Sequence, residues 1–397
     1  MAILKIFSSN ISNAAFAFLA TFLVASFATV EVYASYAKII NYGLIFTVLF
    51  ELGISVFIVV YSDFRNYIFR VTIIYLLSMV LLTIVVVLYY GMTNLTAGLL
   101  LGAVMGCFKL ITSYHQACGS WNKYSISNSV FSFSRVASVT LVFAFFVVND
   151  ETVSIESLIT VTLFISLLAL WLLYLCSFDE GERRVRPKTV IASPIKISWL
   201  IKKVSPYCWS AVIITLAMRI DIAIADWLLT DVELASYSIA IQIAFVLPLI
   251  ANSLLSYYLK DNINIKFSLP KIIKKFFICQ IAALSIVYIL FNILESFVFF
   301  GKYPQFDVVG YILVFSFCGG IIFTPYEAKI YNENPRVILK MKICQLVSIV
   351  GISTFSTITY GMIGLAFGVL ISRIFGWIFI YAFYSNWIFN EKIKATD

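Results

Sequence analysis

The sequence predicts an all-α polytopic membrane protein with about twelve transmembrane helices in two six-helix bundles. Three observations predict it. Of 397 residues, 62% are hydrophobic and 12% charged, against about 45–50% and 25% in a soluble domain. With a mean hydropathy of +0.98, soluble globular and disordered chains are both excluded. The apolar runs are long and unbroken, which excludes the alternating strands of a porin-type barrel. The basic residues, finally, fall almost entirely on one side of the runs.

In order, the apolar stretches of the first half lie near 11–30, 36–60, 71–90, 96–115, 126–148 and 157–176. Those of the second half lie near 205–229, 235–258, 275–296, 308–328, 338–358 and 361–385. Each is close to the ~20 apolar residues that a helix needs to cross the hydrocarbon core. Between the halves, residues 177–204 carry the run Asp179-Glu-Gly-Glu-Arg-Arg-Val-Arg-Pro-Lys188 and read as a basic cytoplasmic linker. The domains expected are therefore 1–176, the linker 177–204, and 205–397.

With the N-terminus placed in the cytoplasm, 22 of the 28 Lys and Arg residues fall in cytoplasmic segments. Lys38 and Lys302 alone fall outside, and Lys109, Arg135, Arg219 and Arg373 lie within spans. This asymmetry predicts that both termini are cytoplasmic in a multi-pass protein. It also accounts for the net charge of +8 without a nucleic-acid partner, because the basic residues act as topology signals beside membrane lipids.

An internal echo supports two halves. Glu31-Val-Tyr-Ala-Ser-Tyr-Ala37, expected between helices 1 and 2, aligns with Val232-Glu-Leu-Ala-Ser-Tyr-Ser238, expected between helices 7 and 8. The shared Ala34-Ser35-Tyr36 and Ala235-Ser236-Tyr237 stand at a constant offset of 201 residues. Six helices per half would make the repeats parallel, related by an axis along the membrane normal.

Charges within spans are the candidate functional residues. Each costs about 2.5–3.5 kcal/mol at mid-membrane, so four cations facing lipid would cost on the order of 10–14 kcal/mol. They must face a wet cavity or a partner. Lys109 shares a helix face with Thr112, Ser113 and Gln116, Arg135 with Asn128 and Ser132, and Arg219 with Thr215 and Asp226. Lys109, Arg135, Arg219 and Arg373 are thus the candidate cationic, substrate-binding set. The carboxylates within spans are Glu51 and Asp221, with Asp226 and Glu327 nearer span ends. Glu51 and Asp221 are the candidates for coupling to H+ or Na+. Interhelical ion pairing is the competing account of every one of these charges.

Catalysis finds little support. The single histidine, His115, leaves hydrolytic and acyl-transfer chemistry short of its usual base. The seven cysteines show no CxxC pair or Cys/His metal spacing, and no cofactor or metal is expected. Pro248, Pro325 and the glycines 361, 364, 368 and 376 mark kinks or close helix contacts.

At helices 7 and 8, Arg219-Ile-Asp221 is followed by Leu228-Leu-Thr-Asp-Val-Glu-Leu-Ala-Ser-Tyr237-Ser-Ile-Ala240. This resembles a pattern of the Wzx-type O-antigen and polysaccharide flippases, members of the multidrug/oligosaccharidyl-lipid/polysaccharide exporter superfamily. Ala235 and Ser236 stand where that family usually has a Val-Gly or similar pair. Phe300-Gly301-Lys302-Tyr303 and Tyr360-Gly361-Met-Ile-Gly364 also look like family features. The resemblance implies two six-helix bundles around a central cavity, moving an undecaprenyl pyrophosphate-linked oligosaccharide from the cytoplasmic to the outer leaflet of the bacterial inner membrane. It also implies alternating access and often a cation gradient. A diphosphate needs positive partners in a low-dielectric setting, which the four cations offer. A multidrug exporter of the same superfamily would favour an anionic cavity. A polymerase or ligase of lipid-linked glycans would need a sizeable catalytic loop.

Overall fold

The computed structural model describes residues 2–51, 54–55, 58, 65–149, 152–177, 197–248, 250–251, 254, 269–299, 301–333 and 335–394. Among these residues the regular structure is helical throughout, with no strand. The first half comprises α1 (Ala2–Phe27), α2 (Val30–Glu51), α3 (Arg65–Tyr90), α4 (Asn94–Ala117), α5 (Trp121–Val148) and α6 (Ile155–Ser177). The second comprises α7 (Ile197–Leu228), α8 (Asp231–Ala244), α9 (Leu269–Leu294), α10 (Phe306–Glu333), α11 (Pro335–Ser348) and α12 (Thr354–Lys394). One π-helical turn, Glu295–Phe299, ends α9, and another, Ile349–Ser353, joins α11 to α12. Most of the predicted basic linker, at 178–196, lies outside the described residues, as does most of the predicted end of helix 2 beyond Glu51.

Ten stretches are long and apolar enough to cross a membrane among the described residues. One of them, Val337–Ala382, has 46 residues, twice what one crossing needs. The chain doubles back inside it at Gly361, whose φ of 59° and ψ of −142° are not helical and are essentially reserved for glycine. Ser356 Oγ donates to the Gly364 carbonyl at 2.7 Å. A Cβ on Gly368 would lie 2.5 Å from the Ser353 Cα. That stretch therefore makes two passes. Eleven passes result among the described residues, and α7, with 32 residues, is long enough for a twelfth.

The chain forms two compact units, Met1–Ala28 with Ser35–Thr215, and Thr29–Ala34 with Leu216–Asp397. In the first unit, glycines bring α2 and α4 together. A Cβ at Gly98 would meet Tyr42 Cβ at 2.5 Å, and one at Gly102 would meet Phe46 Cβ at 2.6 Å. This small-xxx-small spacing replaces the hydrophobic drive that lipid cannot supply. Thr47 Oγ1 then donates across the contact to the Gly102 carbonyl at 3.2 Å.

The α1–α5 contact is polar instead. Lys5 Nζ donates to Asn122 Oδ1 (2.7 Å), Asn128 Nδ2 to Ser9 Oγ (3.0 Å) and Asn10 Oδ1 (3.1 Å), and Ser132 Oγ to Asn13 Oδ1 (2.6 Å). These rungs let α1 begin at Ala2 rather than near residue 11. Its polar first turns are matched by side chains 117–119 positions away in sequence and by the Ser125 carbonyl.

In the second unit, Phe291, Phe299, Tyr303 and Phe306 are at most 3% exposed. Their rings meet edge-on at 5.1–5.5 Å. Tyr33, within Thr29–Ala34, adds its ring 5.7 Å from that of Tyr303. The loop before α10 reaches this packing through left-handed residues, Gly301 (φ 75°) and Gln305 (φ 57°).

The echoed segments differ from expectation. They are not loops; they are the opening turns of α2 and α8. Thr230 and Glu233 form a capping box at the start of α8, and Thr29 Oγ1 accepts from the Val32 amide at 3.4 Å at the start of α2. Thr29 and Thr230 share the 201-residue offset. Tyr36 and Tyr237 each fall at the seventh residue of their helix.

Candidate functional site

Each unit holds its own cluster of buried charge. In the first unit, α5 carries Arg135, only 4% exposed. Its Nε and Nη2 donate to the Tyr36 hydroxyl at 3.3 and 2.9 Å, and Nη2 reaches Thr21 Oγ1 at 3.4 Å. The guanidinium also lies 5.8 Å from the centre of the Tyr36 ring. No carboxylate is among its hydrogen-bond or ion-pair partners in the described residues. Neutral hydroxyls satisfy donors but leave the positive charge in place, where a carboxylate would cancel it.

Lys109 is placed differently. Its Nζ is 2.7 Å from Glu51 Oε2, with the lysine side chain 45% exposed and the glutamate 1%. The same Glu51 oxygen accepts from Ser55 Oγ at 2.9 Å, while Oε1 is buried with no hydrogen-bond partner among the described residues. The α4 glycine stripe explains the pairing. Gly106, one turn beyond Gly102, would put a Cβ 3.8 Å from Glu51 Cγ, and Lys109 follows it on that face. Two predicted site residues, one cationic and one acidic, are thus brought together as an ion pair.

In the second unit, Asp221 on α7 is 4% exposed. Its Oδ2 accepts from the Tyr237 hydroxyl at 2.7 Å, and its Oδ1 from the Ile222 amide at 2.9 Å. Arg219 and Arg373 lie within electrostatic reach of this carboxylate. Both guanidiniums rest on aromatic faces: Arg219 is 4.1 Å from the Phe245 ring centre and Arg373 is 5.0 Å from that of Phe317. The two rings touch, 5.4 Å apart. A guanidinium–ring–ring–guanidinium row results, with each cation held by a quadrupole. Arg373 Nη2 also approaches the Ala217 carbonyl at 3.4 Å, and its Nε is buried with no hydrogen-bond partner among the described residues. Glu327 lies 2.8 Å from Lys342 and also exerts an electrostatic pull on Arg373.

The residues that hold these charges were not singled out from sequence as partners. Tyr36, Thr21 and Ser55 in the first unit, and Tyr237, Phe245 and Phe317 in the second, had no such role. The repeated Ala-Ser-Tyr was the one signal that pointed to two of them. His115 is fully buried, and neither ring nitrogen has a hydrogen-bond partner among the described residues. Among the described residues no three His, Cys, Asp or Glu side chains gather as a metal site, and Cys107, Cys118, Cys176, Cys279, Cys318 and Cys344 are free. Outside the spans, burial pushes the Lys302 ammonium below its usual range, with Glu31 opposing the shift.

No family model matches the chain, and no curated protein sequence matches it. Solved structures do. A multidrug resistance MATE family transporter of the MOP superfamily, in an inward-facing conformation, superposes with a TM-score of 0.65 at 12% identity, covering 96% of this chain and 98% of that one. The lipid II flippase MurJ, in an inward closed conformation, gives 0.65 at 14% identity, covering 96% and 87%. A second MATE structure gives 0.52 at 14% identity, covering 97% and 96%. The chain has the fold these transporters share.

Proposed function

We propose that this protein is a flippase that moves a lipid-linked oligosaccharide, carried on undecaprenyl pyrophosphate, from the cytoplasmic to the outer leaflet of a bacterial inner membrane. Both termini are cytoplasmic in this reading, as the 22 basic residues of the cytoplasmic segments imply. The single observation that carries it is Arg135: a guanidinium buried at 4% exposure whose partners are the hydroxyls of Tyr36 and Thr21. A charge kept in a low-dielectric setting without a counter-charge is costly, and an anionic ligand offsets that cost. The fold is shared with a lipid II flippase and with multidrug transporters. A buried cation held by neutral hydroxyls favours a diphosphate over an organic cation.

Lys109 and Arg135 in the first unit, and Arg219 and Arg373 in the second, are assigned as diphosphate-binding residues. Glu51 and Asp221 are assigned to the coupling ion, H+ or Na+. An ion reaching Glu51 competes with Lys109 for the same carboxylate, so coupling there would release the lysine.

The test is translocation in proteoliposomes of a fluorescent undecaprenyl pyrophosphate-linked sugar, read by quenching from one side, with and without an imposed H+ or Na+ gradient. Gradient-stimulated movement of this lipid is expected. Efflux of an organic cation such as ethidium, without movement of the lipid, would replace the flippase with a drug exporter.

A further inference from the structure

The two copies of the repeated Ala-Ser-Tyr end in tyrosines with the same burial and opposite bonding. Tyr36 and Tyr237 are both 0% exposed and both seventh in their helices. Thr29 and Thr230 stand seven residues before them, each at the start of its helix. Ala34 and Ala235, two residues before the tyrosines, are likewise 0% exposed. A phenol offers one proton and two lone pairs. In the first unit the lone pairs are used: Tyr36 accepts from Arg135 Nε and Nη2. In the second unit the proton is used: Tyr237 donates to Asp221 Oδ2 at 2.7 Å.

The consequence for each charge is orientation. Two of Arg135's three nitrogens are committed to hydroxyls on one side, which leaves Nη1 to meet an acceptor from elsewhere. Asp221 accepts one hydrogen bond on each oxygen, which leaves further lone pairs for a cation. The groups facing Asp221 are Arg219, Arg373 and Tyr237, with Glu327 acting on Arg373. Among the described residues, only the tyrosine pins the carboxylate by a short hydrogen bond from another helix.

We propose that Tyr36 and Tyr237 are positioning residues for transport: Tyr36 aims Arg135 at the diphosphate, and Tyr237 aims Asp221 at the coupling ion. One duplicated tyrosine thereby serves the substrate in one half and the ion in the other. The assignment of the two ligands rests on the flippase reading above.

The experiment compares wild type with Tyr36→Phe and Tyr237→Phe, substitutions that keep the ring and remove the hydroxyl. Purified protein in nanodiscs is titrated with inorganic pyrophosphate, and separately with sodium ions or by a pH step, with thermal stabilisation as the readout. Tyr36→Phe is expected to raise the half-saturating pyrophosphate concentration at least about five-fold and to leave the ion response unchanged. Tyr237→Phe is expected to do the reverse. Tyrosines that serve packing alone would lower the melting temperature without ligand and leave both ligand responses alike in the two variants. That result would overturn the proposal, as would unchanged responses in both, or a wild type stabilised by neither ligand. Selective losses of binding in a protein that moves no lipid-linked sugar would keep the positioning roles and discard the flippase reading.

Discussion

Lys109 on α4 and Glu51 on α2 form an ion pair at 2.7 Å whose two ends differ sharply in surroundings: the carboxylate is 1% exposed and the lysine side chain 45%. The glutamate bears the desolvation, and the lysine neutralises it from a half-wet position. Lys109→Met therefore strands a buried carboxylate and is expected to destabilise by about 2–3 kcal/mol, under the ~3–5 of a fully buried pair. Glu51→Gln combined with Lys109→Met should recover most of the loss. Thermal unfolding in detergent checks both, and a single variant as stable as the parent would show the pair to be energetically idle.

Arg135 should respond to substitution in two separable ways. Arg135→Ala removes a charge and leaves the Tyr36 and Thr21 hydroxyls without a donor, so transport is expected to fall by more than about ten-fold. Arg135→Lys keeps the charge and loses the fork, and is expected to retain part of the rate. Initial translocation rates at matched protein levels decide this. Equal rates for Ala and Lys would remove the charge argument.

Close approach at the turn of α12 should tolerate no added carbon. A Cβ on Gly364 would fall 1.9 Å from the Ser356 carbonyl oxygen, which is backbone and cannot rotate away. Gly364→Ala is expected to cost about 3 kcal/mol, the upper end for overpacking. Ser356→Ala, which loses the hydroxyl bond to the Gly364 carbonyl, should cost about 1 kcal/mol. Denaturant unfolding of the two variants gives the comparison, and the reverse order of cost would contradict the close contact.

The ring cluster before α10 should behave as a packed core. Tyr303 is 2% exposed and meets Tyr33 and Phe299 edge-on. Truncation by Tyr303→Ala is expected to cost about 3–5 kcal/mol, whereas Tyr303→Phe keeps the ring contacts. Yield of folded protein after size exclusion, measured beside melting temperature, reads the difference. Indifference to the Ala change would mean the rings contribute little.

The spans were legible because lipid demands about twenty apolar residues in a row, a signal that survives without any knowledge of partners. Helix beginnings were less so. α1 was expected near residue 11 because Lys5, Ser8, Ser9 and Asn10 read as polar chain outside a span, and the α5 side chains that receive several of them lie more than a hundred residues away. The start of α8 did carry a local signature, Thr230-Asp-Val-Glu233, which is the spacing of a capping box. It was obscured by the acidic residues around it. The buried cations were visible from their cost, but their partners were not. Composition cannot distinguish an arginine on hydroxyls, such as Arg135, from one on a ring, such as Arg373, because those partners are set by tertiary packing.

Between Lys342 and Arg373 the sequence holds thirty residues without a charged side chain, and the reversal at Gly361 lies among them. Insertion machinery reading this stretch meets no charged segment between the first pass and the second. The two passes must partition into lipid together, as one preformed antiparallel unit. Its orientation is then governed by flanks that the reversal places on the same face, Lys340 and Lys342 before it and Lys392 and Lys394 after it. The glycine turn thus bears on biogenesis as well as packing: it lets a single uncharged run of sequence enter, turn and leave the bilayer without a charged loop on the far side.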